Sequence, residues 1–135
     1  MLQKKNYFKQ FNERYFTFLE FVKSHMGNNK KFESFYFKNK VMRQTNIKYF
    51  IKSWYTYITT PHYMDISTKD VQYFLTKDYS LDKPKVSSEY VNSFEVVIDS
   101  LKQMYNTLER DIVNEFMVHI KSLTQLSYMY FNLNN

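Results

Sequence analysis

From Glu89 to Phe131 the chain contains neither glycine nor proline, and one apolar stripe runs through the whole stretch. Phe94, Ile98, Leu101, Tyr105, Leu108, Ile112, Phe116, Ile120, Leu123, Ser127 and Tyr130 follow one another at steps of three and four. That is the period of a helix face, not the alternation of a strand. Extra fours around Ile112 break the heptad. Tyr105 to Phe116 averages about 3.67 residues per turn, which favours a nearly straight helix over a left-handed coiled coil. With Ser88 as its cap, the spacing predicts one C-terminal helix over 88–131, about 65 Å long at ~1.5 Å per residue. That exceeds the diameter expected of a 135-residue chain, so the helix either breaks near Arg110–Asn114 or projects and packs on another chain.

The same period recurs earlier. Phe8, Phe11, Tyr15, Phe18 or Leu19, Val22 and Met26 predict a helix over 3–25. Gly27 follows where a left-handed C-terminal cap belongs. A second helix is predicted over 30–42, with Phe32, Phe35, Tyr36 and Met42 inward; Phe35-Tyr36-Phe37 puts aromatics on more than one face, so part of it should touch two neighbours. After a break at Arg43-Gln44-Thr45, Asn46 reads as the N-cap of a helix over 47–58. Its stripe is Ile47, Phe50, Ile51, Trp54, Tyr55 and Ile58, with Trp54, the sole tryptophan, as core anchor. Thr59-Thr60-Pro61 should end it, since the residue before proline is pushed from helical angles. Ser67-Thr68-Lys69-Asp70 matches a capping box with Asp in place of Glu and opens a helix over 68–76. Residues 77–87 are polar, contain Pro84 and read as a loop. The expected fold is all-α: a single domain over 1–135, with about four shorter helices on one long C-terminal helix.

Composition narrows the chemistry. Cysteine is absent, which excludes disulfides, thiolate metal sites and thiol catalysis. One glycine excludes a glycine-rich phosphate loop. His25, His62 and His119 have no partner histidine at i+4, and no H-E-x-x-H pattern occurs. Structural or surface roles are expected for all three, with His119 off the main stripe. Glu109, Asp111 and Glu115 read as a solvated helix face. No catalytic, cofactor or metal site is therefore expected. No run of eighteen apolar residues could span a membrane, and Met1–Gln10 lacks an apolar signal core, so an intracellular, non-secreted protein is expected. Tyr and Phe number 13 each, but alanine is absent and arginine occurs three times. An AT-rich genome explains much of that bias.

Charge is unevenly divided. Residues 1–60 carry 12 Lys/Arg against 3 Asp/Glu, whereas 61–135 carry 7 against 10. Lys30, Lys31, Lys38, Lys40, Arg43, Lys48 and Lys52, interleaved with aromatics, form the candidate anion or nucleic-acid contact. Against it, most of these positions are polar faces of amphipathic helices, and arginine, the usual bidentate reader, is scarce.

The run from Phe35 to Trp54, with Thr60-Pro61-His62-Tyr63 and Tyr73-Phe74-Leu75-Thr76-Lys77-Asp78-Tyr79-Ser80 beyond it, covers about a third of the chain. It resembles small uncharacterised helical proteins of nucleocytoplasmic large DNA viruses, of the mimivirus and phycodnavirus kind. The resemblance implies a virion or cytoplasmic-factory setting and carries over no functional residue. The expectation is a non-enzymatic structural or interaction protein, such as a minor virion (capsid) or assembly component. It would partner other chains of an assembly or itself as a homo-oligomer. The alternative is a nucleic-acid-binding accessory protein using the basic first half.

Overall fold

Helical periodicity governs every regular element of the computed structural model, which describes residues 2–27, 29–68, 102 and 109–132. In chain order these are α1 (Leu2–Met26), α2 (Lys30–Thr45), α3 (Lys48–Trp54), a π-helical turn (Tyr55–Thr59), α4 (Thr60–Thr68) and α5 (Arg110–Asn132). No strand occurs among the described residues. The fold is all-α, with the long C-terminal helix α5 packed on the others and most extensively on α1. The loop predicted over 77–87, residues 69–76 of the fourth predicted helix, and the stripe residues Phe94, Ile98, Leu101, Tyr105 and Leu108 lie outside the described residues.

Local signals account for most helix ends. Gly27 has φ 62°, the left-handed conformation expected of it. Asn29 then caps α2, its side chain accepting from the Phe32 N–H at 2.9 Å. α5 starts at Arg110, where the Glu109 carbonyl accepts from the Ile112 and Val113 amides at 3.1 and 3.3 Å. This start adjoins the stretch where the heptad pattern loses step.

Three sequence expectations are corrected. First, α2 runs through Arg43-Gln44-Thr45 without a break. Asn46 is its C-cap, not the N-cap of α3, and the Asn46 N–H donates to the Met42 carbonyl at 2.7 Å. Second, Phe37 does not reach a second neighbour; it is 67% exposed. Third, Pro61 does not end the third helix. Thr60 keeps helical angles (φ −59°, ψ −50°), and its N–H donates to the Tyr55 carbonyl, five residues back. Proline has no N–H to bond and crowds the carbonyl four residues before it. The wider π turn shifts the bonding pattern past the pyrrolidine ring, so the helix continues into α4. Ser67 and Thr68 consequently lie in the last turn of α4, and Ser67 is not an N-cap.

Apolar residues of α1, α2, α3, α4 and α5 meet in one core. At its centre is Trp54, 1% exposed. Three α1 rings meet the indole edge-on: Phe11 at 6.2 Å, Tyr15 at 6.3 Å and Phe18 at 6.5 Å between centroids. On the other side the indole N–H donates to Thr124 Oγ1 of α5 at 3.1 Å. Thr59 and Ser127 hydroxyls pair at 2.6 Å, and Ser127 Oγ donates to the Thr124 carbonyl at 2.9 Å. Ser127 has one hydroxyl proton, so Thr59 is the donor to Ser127.

Trp54→Ala empties the centre and orphans the Thr124 hydroxyl, so it is expected to cost ~3–5 kcal/mol. Urea unfolding followed by circular dichroism measures this. In the unsubstituted protein, tryptophan emission should be blue-shifted and should move red only on unfolding.

Candidate functional site

Lys30, Lys31, Lys38, Lys40, Arg43, Lys48 and Lys52 are all exposed, but they do not share one surface. At about 100° per residue, Lys31 and Lys38 lie on one flank of α2 and Lys40 on the other. Lys30 lies on the outward ridge between them. Arg43 turns toward the bundle, its guanidinium 4.4 Å from the Phe16 ring centroid. Lys40 sits 5.1 Å from the Tyr36 ring, which Lys23 of α1 also approaches at 4.6 Å. Cations so placed are attracted by the ring quadrupole. The Tyr36 hydroxyl donates to the Glu20 carboxylate. That bond, more than burial, raises the pKa of Tyr36, while Lys40 pulls it down. Part of the basic set is therefore spent fastening α2 to α1.

A second polar pair links the same helices. Tyr15 donates to Asn39 Oδ1 at 2.6 Å, and Asn39 Nδ2 donates to the Phe35 carbonyl at 2.7 Å. Burial, with a smaller contribution from Tyr49, pushes the Tyr15 hydroxyl well above the ordinary tyrosine range. It stays a donor throughout the physiological range.

Among the described residues a part-buried titratable cluster joins α1 to α5, and the sequence reading missed it. His119, expected off the stripe, is buried. Arg14 Nη1 lies 3.5 Å from its Nδ1, and Glu115 Oε2 lies 3.8 Å from its Nε2. Phe18 and Phe21 of α1 pack on the imidazole at 5.6 and 5.2 Å, and Phe21 also meets His25 at 4.9 Å. Arginine can only donate, so Nδ1 must be the unprotonated nitrogen. The ring proton then sits on Nε2, toward Glu115. Burial first, and the Arg14 guanidinium second, hold the His119 pKa below its ordinary value, against an upward pull from Glu115. Both nitrogens and the ring itself are engaged in the α1–α5 contact. The Glu115–His119 spacing of four residues was legible in the sequence; the approach of Arg14, 105 residues away, was not.

His62 is buried on α4, and Glu109, Asp111 and Glu115 are exposed. Among the described residues no three His, Asp or Glu side chains gather as a metal set, and no helix is long and apolar enough to cross a membrane. Comparison with known proteins gives no matching family model, no matching curated protein and no matching solved structure.

The sign of the His119 effect follows from the depressed pKa. The unfolded chain, with histidine near 6.5, takes up the proton before the folded chain does. The stability that neutral His119 contributes is therefore present above pH 6.5 and lost as pH falls below it. Urea midpoints measured between pH 7.5 and pH 5 should fall on acidification, and His119→Gln should flatten that part of the fall.

Proposed function

We propose that this chain is a non-enzymatic structural or interaction protein, a small helical component of a larger assembly. The observation that carries this reading is how the fold uses its polar groups. Trp54–Thr124, Thr59–Ser127, Tyr15–Asn39, Tyr36–Glu20 and Arg14–His119–Glu115 each tie one helix to another or hold a helix end in place. Apolar side chains meanwhile remain on outer faces: Met64 on α4, and Val118, Tyr128 and Phe131 on α5. Such a distribution suits a protein that meets partners over its surface. The resemblance of residues 35–80 supports a large DNA virus as the setting, with the chain as a minor virion or assembly component.

Sedimentation at micromolar concentration, alone and with material from the native source, tests this. Self-association or a co-sedimenting protein chain is expected. A monomer that retains no partner would overturn the reading.

A second reading, nucleic-acid binding by the first half, draws support from Lys30, Lys38, Lys48 and Lys52, exposed and without an ion pair among the described residues. Each phosphate contact would contribute about 0.7–0.9 to the slope of log affinity against log salt. Because the lysines diverge around α2, neutralising Lys30, Lys31, Lys38 and Lys40 together is expected to leave any nucleic-acid affinity and its salt slope nearly unchanged. A steep slope that collapses in the quadruple variant would favour this second reading over the first.

A further inference from the structure

Among the described residues, the outward ridge of α2 sets two exposed apolar side chains beside several lysines. Phe37 and Val41 are one turn apart, 67% and 49% exposed, on the side opposite the buried Phe32, Phe35, Tyr36 and Asn39. Lys30 lies in line with them, Lys31 and Lys38 flank one side and Lys40 the other. Along the helix, five basic residues face a single acidic one, Glu33. The charge fixes the sign of what covers the ridge: it is anionic.

Area and shape narrow it further. A stable protein interface covers about 800 Å² on each partner. Phe37 and Val41 together offer less than about 300 Å², since even a whole aromatic side chain presents only about 150–250 Å². The ridge is also convex, because α2 packs chiefly on α1 through its opposite face. Two part-exposed apolar side chains are also few for anchoring a helix in a protein groove, where several successive turns contribute. The ridge fits a soft, flat surface that admits one or two apolar side chains and carries negative charge around them. We propose that this ridge attaches the protein to an anionic lipid surface, with Phe37 and Val41 entering the acyl boundary. Lys30 on the ridge and Lys38 beside it lie over the headgroups. Attachment of this kind needs no spanning helix and does not depend on whether the chain has a protein partner.

Vesicle co-sedimentation of the full chain tests it, with phosphatidylcholine alone and with an equal mixture of phosphatidylcholine and phosphatidylserine. Binding to the mixed vesicles only is expected. The Phe37→Ser, Val41→Ser double variant should reduce partitioning about tenfold or more. Lys30→Gln and Lys38→Gln should each reduce it about fivefold, the effect of one basic residue near an anionic surface. Met64→Ser is the comparator. Met64 is also 67% exposed but has no lysine within one turn on α4, so its loss should leave partitioning unchanged. All five positions are exposed, and unchanged circular dichroism checks that each variant folds. The proposal is overturned if the mixed vesicles are not bound, or if the double variant binds them as well as the parent, which is bare charge adsorption. It is equally overturned if Met64→Ser weakens binding as much as the double variant, or if that variant loses a protein or nucleic-acid partner while keeping the lipid.

Discussion

The hydrogen bond from the Trp54 indole to the Thr124 hydroxyl fixes how the bundle is assembled. A buried N–H must find an acceptor, or the fold carries the desolvation cost of leaving it unmade. Here the acceptor is on α5, while the indole's edges and faces belong to the aromatic side chains of α1. One residue thus sets both the rotation of α5 about its axis and its height against α3. The proton of Thr59 runs to Ser127 and that of Ser127 to the Thr124 carbonyl, which locks the same seam one turn further on. A core of large rings alone would tolerate several azimuths of α5; the hydroxyls select one.

Surplus positive charge and surplus aromatic rings are two sides of one arrangement. Lys4 lies over Tyr130, Lys23 and Lys40 over Tyr36, and Arg43 over Phe16. At exposed sites each such contact is worth about 0.5–1 kcal/mol, comparable to a surface ion pair. A chain with few carboxylates in its first half has in this way given several of its cations an attractive neighbour. Arg14 does the reverse: it faces an imidazole and adds to the burial that holds the imidazole pKa down.

How much of this was legible in the sequence differs by the range of the signal. The stripe from Phe11 to Val22 and the turn at Gly27 are local, and periodicity and backbone sterics together located α1 within a residue or so. Trp54 with Phe50, Ile51 and Ile58 was legible for the same reason, whereas Ile47, read into the same stripe, is exposed. Pro61 misled because the rule for the preceding residue assumes a regular α-helix, and a π turn is a tertiary accommodation with no sequence mark of its own. Asn46 misled because an asparagine between two helices serves equally as the end of one or the start of the next. The His119 cluster needed Arg14 from the far end of the chain. The scatter of the lysines around α2 was present in their spacing, since residues 30, 31, 38 and 40 cannot all share one face at 3.6 residues per turn.

The π turn has a consequence for the phase of everything that follows it. Trp54, Ile58, His62 and Ile66 are all buried, at successive steps of four. In a regular α-helix each such step drifts by about 40°, so the series would wind some 120° away from the core by Ile66. The wider turn takes up one extra residue, about 100° of rotation, and cancels most of that drift. The segment therefore behaves like a reading frame. Loss of one codon between Tyr55 and Thr59 would turn the π turn into an α turn and leave His62 and Ile66 facing the core, about 20° from Trp54, whereas gain of one would carry both about 100° away. A residue gained here is not a small perturbation of a loop but a change of register in a continuous rod, and it acts on residues that are themselves unaltered.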